Sequence, residues 1–286
     1  TKSGVCYAIS SNIYEGLIEL GVDTTFNRFI GKNTVTSNAL KQFLKKILPA
    51  STVQLLGLDL PAMFNNLTVS SDGFLYATSN PDAEDTQAKN LVKVINTKGN
   101  DIMKRTGYVP PDGDAVYLAA SDDDAAILGP SVLTAVAVSK TGNFVVCDSK
   151  RGRLFTYDAE GNLLYITGEQ PGGQKTQGSG NGLSNSIINP VAIDYLYRTY
   201  EEDGVTKEEE TVIVLDQASG TIILYETTEF GNAVNTATAL YQNGIIADTY
   251  KVDAEGKTLY DATGKPIVES LGAESYWRQV IKMNTN

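Results

Sequence analysis

A phrase of strand, polar-glycine turn, strand, polar turn and strand recurs along this 286-residue chain. It reads LTVSSDGFLYATSN at Leu67–Asn80 and VAVSKTGNFVVCDSKRGRLFTYDAEGNLL at Val136–Leu164. It returns as VAID…TVIVLDQASGTIILYE between Val191 and Glu226, and in truncated form as SGVCYAISSNIYEGLIEL at Ser3–Leu20. Gly4, Gly73, Gly142 and Thr211 stand 69 residues apart in succession. Self-similarity of this kind predicts a repeat architecture, each unit a three- or four-stranded antiparallel sheet lengthened by a different insertion. The fold class expected is all-β.

Within the units, period-2 alternation marks strands at Phe144-Val145-Val146-Cys147 and Thr221–Tyr225, bounded by turns at Lys150–Arg153 and Ala218–Gly220. DAEGN (Asp158–Asn162) and NTKGN (Asn96–Asn100) read as tight turns whose glycine takes positive φ. Four insertions interrupt the plan. SNALKQFLKKIL (Ser37–Leu48) has a Ser cap and apolar residues at helical spacing, and Pro49 ends it. Pro110–Pro130 is polar and acidic, Gly168–Gly182 is rich in Gly, Gln and Ser, and Tyr200–Glu210 is a charged hairpin tip. After Glu226 the period changes to 3.6. Ala233, Val234, Ala237, Leu240 and Tyr241 share one helical face, and Gly244 is the stop. A small hairpin insertion with DAEGK and DATGK turns occupies Thr249–Val268. A last helix at Glu274–Met283 carries Tyr276, Trp277, Val280 and Ile281 on its apolar side.

Composition removes several classes of function. A net charge of −11 opposes a phosphate backbone as partner, and the basic clusters (Lys41, Lys45, Lys46; Lys150, Arg151, Arg153) are small. Nucleic acid is therefore not an expected partner. The chain has no histidine, which excludes Ser-His-Asp and Cys-His machinery and histidine-ligated zinc. Carboxylates, Lys, Tyr and oxygen-ligated metals remain. Cys6 and Cys147 fall in strands of different repeats, so no disulfide is expected and both read as small core hydrophobes. No run approaches the roughly 18 apolar residues of a membrane span, and no signal peptide opens the sequence. The first residue, Thr1, lies inside a repeat, which reads as a fragment or processed form.

The repeats resemble NHL-type β-propeller blades in VAV-polar-polar-GN, the strand ending at Asp148, and RGRLFTYDAEGNLL. DSKRGRLFTYDAEGNLLYITG (Asp148–Gly168), NPVAID (Asn189–Asp194) and VLDQASGTIILYETTEFGN (Val214–Asn232) are similar to a family of bacterial extracytoplasmic proteins. RTGYVPPDGD (Arg105–Asp114), NIYEGLIEL (Asn12–Leu20) and YWRQVIKMNTN (Tyr276–Asn286) fit it too. In that family an NHL-like propeller is followed by tetratricopeptide-like helices and often a Yip-type membrane domain. The resemblance implies propeller blades over residues 1–230, with an inserted helix near 37–48. It also implies a helical extension over 231–286, similar to the start of a tetratricopeptide repeat and interrupted by the hairpin near 249–268. About four blades are visible where such rings usually have about six. Ile245–Ser270 departs from the family as an insertion between the terminal helices.

Candidate sites divide between chemistry and architecture. Asp148 and Asp216 close equivalent strands and Asp194 follows NPVAI; together they could ring a channel and hold Ca²⁺, or each could cap a turn. The cap is the favoured reading. Arg151 and Arg153 follow Asp148 on a tight turn, suited to an anion or, more economically, to an Asp–Arg pair. Asp122-Asp123-Asp124 lacks the spacing of a calcium loop. Gly172, Gly173, Gly178, Gly180 and Gly182 lack the strand–loop–helix context of a phosphate cradle. Tyr14, Tyr76, Tyr108, Tyr157, Tyr165, Tyr195, Tyr197 and Tyr225 could line a peptide or glycan face, but their positions favour sheet packing. No catalytic, cofactor-binding or metal residue is assigned, and no cofactor is expected. The function expected is a non-enzymatic extracytoplasmic binding or scaffold module, secreted or envelope-associated, engaging a protein or glycan through its loops. Any membrane contact would come through a region outside this chain, and the oligomeric state is not legible. The alternative is a Ca²⁺-dependent lactonase or esterase of the six-bladed propeller sort.

Overall fold

The β-branched runs of the repeats form short antiparallel strands, and the polar-glycine phrases between them form the turns. The computed structural model describes residues 1–10, 13, 15–32, 47–49, 52, 63–80, 90–105, 110–114, 130–168, 187–202 and 204–284. Among these the chain is all-β apart from two longer helices. The chain divides into two compact units, Thr1–Leu196 with Val212–Leu224, and Tyr197–Thr211 with Tyr225–Asn286.

In the first unit, β1 (Cys6–Ala8), β2 (Leu17–Leu20) and β3 (Phe26–Ile30) form one sheet in that order. A second sheet comprises β4 (Phe64–Val69), β5 (Leu75–Ser79) and β6 (Val92–Ile95). A third comprises β7 (Leu133–Val138), β8 (Phe144–Asp148), β9 (Arg153–Tyr157) and β10 (Leu163–Thr167). Consecutive strands pair throughout, as hairpin-linked repeats require. The fourth sheet is β11 (Pro190–Glu202), β12 (Val205–Asp216) and β13 (Thr221–Glu226), and its outer portion falls in the second unit. The charged hairpin tip is a continuation of β11 and β12 themselves, reversing at Gly204 with φ +74°.

The sheets bury their faces against one another. Leu17, Ile30, Phe64, Leu75, Ala77 and Ile95 form one core shared by the first two sheets. Tyr76, Val94, Val136, Phe144, Phe155 and Tyr157 belong to a second core shared by the second and third sheets. The first strands of successive sheets also touch laterally. The backbone N–H of Val136 donates to Asn66 Oδ1 (3.1 Å), Asn65 Nδ2 donates to the Leu133 carbonyl, and Thr134 Oγ1 donates to the Pro190 carbonyl (2.6 Å).

This stacking corrects the simple alternation expected for Phe144–Cys147. All five residues of β8 are buried, as are all five of β5, because a sheet covered on both faces has no solvent side. The alternation survives on β13, where Ile222 and Leu224 are exposed. Cys6 is a second correction. It lies exposed on β1, an edge strand, whereas Cys147 is fully buried on the central β8; both thiols are free. β1 holds the repeat position of β5 and β8 but has a neighbour on one side only.

The second unit contains α1 (Glu229–Gln242) and α2 (Ala273–Asn284), packed on each other. Thr228 Oγ1 accepts from the Gly231 N–H to cap α1, and Gly244 at φ +75° stops it, where the sequence places the stop. The α1 face is buried at Ala233, Val234 and Ala237, while Tyr241 points to solvent. Asp248 holds the start of α2, accepting from Gly272 N (2.8 Å) and Ser275 Oγ (2.7 Å). The insertion between the helices is more than one hairpin. β14 (Thr249–Tyr250) pairs with β15 (Val268–Ser270), and bridges join Val252 to Thr258 and Tyr260 to Pro266. Lys251 N donates to Ile267 O, Ile267 N to Leu259 O, and Leu259 N to Lys251 O, closing a three-way backbone ring. Its eight-residue period is that of the DAEGK and DATGK turns, whose Asp253 and Asp261 carboxylates accept the turn amides.

The helix expected at Ser37–Leu48 lies mostly outside the described residues, as do Lys41, Lys45, Lys46, Tyr14, Tyr108, Asp122-Asp123-Asp124 and the glycines of 172–182.

Candidate functional site

Two places in the first unit gather polar side chains. The first is the carboxylate that ends the second strand of a repeat. Asp148 is fully buried at the end of β8. Its Oδ1 accepts from the backbone N–H of Val132 (3.1 Å) and Lys150 (2.9 Å). Its Oδ2 accepts from Ser131 Oγ (2.7 Å) and Arg151 Nη1 (3.1 Å). Arg151 is buried as well and also approaches Asp114, whose Oδ2 lies 3.4 Å from Arg151 Nε and 3.0 Å from Arg153 Nη1. Ser131 Oγ accepts from the Asp114 N–H (2.8 Å), and the Tyr157 hydroxyl accepts from the Gly113 N–H (3.1 Å). The network ties the chain entering β7 to the turn leaving β8.

Asp216 repeats the arrangement in simpler form. It accepts from the backbone N–H of Ile188 (2.9 Å), Asn189 (3.0 Å) and Ala218 (3.0 Å). The capping role therefore describes both residues, and the Asp–Arg pairing describes Arg151; Arg153 pairs with Asp114 instead. Asp194, on an exposed stretch of β11, only accepts from its neighbour's N–H. Among the described residues no three Asp, Glu or Cys side chains come together as a metal site would require.

Burial alone would raise the Asp216 carboxyl, but the amides of Ile188, Asn189 and Ala218 and the Ser219 hydroxyl hold it below the usual carboxylate range. A folded-state pKa below the unfolded value of about 3.9 contributes stability that is present above about pH 4 and lost as pH falls through the folded value. Thermal melts from pH 7 to pH 3 are thus expected to show acid destabilisation in the native chain and a smaller acid-induced drop in Asp216→Asn. Equal drops in the two proteins would contradict this role.

The second place is a cleft of about 230 Å³ between the second and third sheets, where the β4–β5 and β7–β8 turns lie side by side. Each turn is built alike. Gly73 at φ +84° and Gly142 at φ +88° let the chain reverse, and their N–H groups donate to Ser70 O (3.0 Å) and Ser139 O (3.1 Å). Ser70 Oγ accepts the Phe74 N–H (3.0 Å), and Ser139 Oγ bonds with Thr141 Oγ1 (2.8 Å). Asp72 and Lys140 stand exposed at the rim, Phe74 and Ile102 flank them, and Tyr76 and Met103 are buried in the lining.

Tyr76 is only 4% exposed, its ring tilted against Phe144 at 5.3 Å. Its hydroxyl is not among the buried side-chain atoms that lack a partner. Burial, and next the Asp72 carboxylate, push that hydroxyl above its ordinary value, so it stays protonated and a donor. Tyr157 is likewise buried, whereas Tyr165, Tyr195, Tyr197 and Tyr225 are half-buried along strands. Core packing thus accounts for both Tyr76 and Tyr157, and Tyr76 also lines the cleft. The sequence reading did not single out Asp72, Lys140 or the cleft, because nothing in one repeat says which turns of two repeats become neighbours. It also passed over Lys93. This side chain is buried on β6 and donates to the Lys32 carbonyl (3.2 Å), and its ammonium is pushed down by burial.

No protein-family model matches the chain, and no curated protein matches it. Among solved structures it is similar to a catalytically inactive virginiamycin B lyase from Staphylococcus aureus with quinupristin. The two share 13% identity at a TM-score of 0.33, over 79% of this chain and 71% of that one. A selenomethionine-substituted virginiamycin B lyase from the same organism aligns at 10% identity and a TM-score of 0.27, over 81% and 72%. A likeness at these scores carries no argument about the present chain.

Proposed function

We propose that this chain is a non-enzymatic binding module, an NHL-like propeller arc of stacked sheets that engages a protein or glycan partner through the turns at its sheet ends. The observation that carries the reading is the saturation of Asp148 and Asp216. The strand-closing carboxylates, the best candidates for a reactive or Ca²⁺-holding centre, spend their oxygens on the backbone and side chains of their own repeats. A general base needs a lone pair within reach of its substrate, and Asp148 at full burial offers none. The absence of histidine supports the same reading. In this proposal α1 and α2 open a tetratricopeptide-like region, and the module works outside the cytoplasm, secreted or at the cell envelope.

Two measurements test it. Millimolar Ca²⁺ is expected to leave the melting temperature within about 1 °C of the metal-free value, whereas a caged ion binding only the folded state would raise it by mass action. Cell-envelope fractions are expected to retain the chain saturably without turnover of ester or lactone substrates. Hydrolysis that responds to Ca²⁺ would overturn the reading.

A further inference from the structure

We propose that a second copy of this chain stacks head to tail on this one, the outer face of the first sheet in one copy receiving the outer face of the fourth sheet in the other. These are sheet faces, separate from the turns through which the module engages its partner.

Strand register assembles the first face. Cys6 lies opposite Leu20 and Leu20 opposite Phe26, while Ala8 lies opposite Ile18 and Ile18 opposite Phe29. Directly opposed residues project from one side of a sheet, so these residues share a face, and all of them are apolar. Leu17 and Ile30 project from the other side, into the core shared with the second sheet. The outer side is open. Phe26 is 57% and Phe29 41% exposed, their rings 4.9 Å apart, and Cys6 is exposed beside them.

Repeat position says what covers such a face. Gly4, Gly73 and Gly142 close the same turn, their N–H groups donating to the carbonyls of Thr1, Ser70 and Ser139. Two and four residues on, Leu75 and Ala77 pack in the core with the first sheet, and Phe144 and Val146 in the core with the second. Cys6 and Ala8 hold those positions in β1. The outer face of the first sheet is therefore the one that, in the second and third sheets, lies against the sheet before. The fourth sheet is bare on its opposite side. Asp148 and Asp216 align the third and fourth sheets, since each accepts the amide two residues on. Leu215, Ile222 and Leu224 then match Cys147, Leu154 and Thr156, which are all buried on the side of the third sheet away from the second. In the fourth sheet all three are exposed, Ile222 at 70%.

One chain thus carries both halves of the contact that its own sheets make, a face that receives a preceding sheet and a face that receives a following one. Joining them between copies is a heterologous contact, which closes a ring or runs on as a filament. Four repeat sheets in each of two copies make eight, within the roughly four to eight blades of closed propellers, so a two-chain ring is expected. That copy number rests on the propeller reading; the stacking does not.

The test is light scattering on the eluting full chain across a range of concentrations, where the mass of two chains is expected. Phe29→Glu and Ile222→Glu, one on each face, should each weaken association about 100-fold or more, because a carboxylate without a partner is costly to bury. An equimolar mixture of the two variants keeps one intact pair of faces and is expected to associate again. Cys6 gives an independent reading: a maleimide should label it slowly in the assembled chain and rapidly in Ile222→Glu, while Cys147 stays buried. A melting curve accompanies each variant, and Ile222→Glu, at its exposed site, carries the test if Phe29→Glu is destabilised. Dilution to single chains returns both faces to water, which is the condition for comparing folding stability at Ile222. If another protein or a segment outside this sequence is the natural cover, the purified chain stays single with Cys6 freely labelled at every concentration, and the proposal is overturned. Association lost in only one variant is a like-on-like stack and overturns it too, as does association untouched by both. Larger species dissolved by both variants support the stacking and overturn the two-chain propeller ring instead.

Discussion

Asp148→Ala is expected to lower the melting temperature by about 10 °C or to prevent folding of the sheet-stacked unit. The substitution takes the Asp148 carboxylate from the buried Arg151 guanidinium, which keeps Asp114 Oδ2 at 3.4 Å from its Nε, and orphans the Val132 and Lys150 amides and the Ser131 hydroxyl. Removing one partner of a buried ion pair costs about 3–5 kcal/mol, because the charge left behind stays desolvated. In a domain of this size each kcal/mol is worth about 2–4 °C. Asp148→Asn keeps one oxygen acceptor while losing the charge that faces Arg151, so its loss is expected to be smaller. Calorimetry on the three proteins decides the matter. Equal melting temperatures for native and Asp148→Ala would show that the network is ornamental, and with it the claim that this carboxylate is committed to structure.

Phe144→Ala is expected to cost about 3–5 kcal/mol, comparable to the loss of Asp148, but for a different reason. Phe144 is fully buried where the second and third sheets meet, stacked on Tyr157 at 5.2 Å and tilted on Tyr76 at 5.3 Å. Truncation opens a cavity between two sheets whose backbones are fixed by their own ladders and cannot collapse into it. Ile222→Ala supplies the contrast. Ile222 is 70% exposed on β13, and its truncation is expected to change stability by no more than about 0.5 kcal/mol. Denaturant midpoints for both variants check the ordering, and a Phe144→Ala loss no larger than that of Ile222→Ala would refute the shared core.

The difference between those two residues marks how far the sequence can be read. Phe144 and Ile222 both lie in β-branched runs with turns on either side, and both read as alternating strands. Only β13 shows the alternation, because the face of a strand that meets water depends on whether another sheet covers it. Cys6 and Cys147 show the same limit. Their repeat phrases predict small core residues, yet Cys6 is exposed because its strand is an edge. The turns were more transparent. Gly73, Gly99, Gly142 and Gly161 all adopt positive φ, since a tight reversal at those phrases leaves glycine as the unstrained choice. Asp148 and Asp216 were legible as turn caps through the amides two residues on, Lys150 and Ala218, while their bonds to Ser131, Val132, Ile188 and Asn189 come from the preceding chain segment.

The cleft was not legible. Tyr76 and Lys140 are 64 positions apart, and no local rule relates a strand of one repeat to a turn of the next. The repeated phrase by itself determined the all-β class and the strand-turn-strand order, because these depend on neighbours in sequence. Only the tertiary structure decided which faces are buried, which thiol is exposed and that Tyr76 and Lys140 line one cleft. Those depend on how one sheet's side chains meet the next, a matter of long-range packing that residue order does not encode locally.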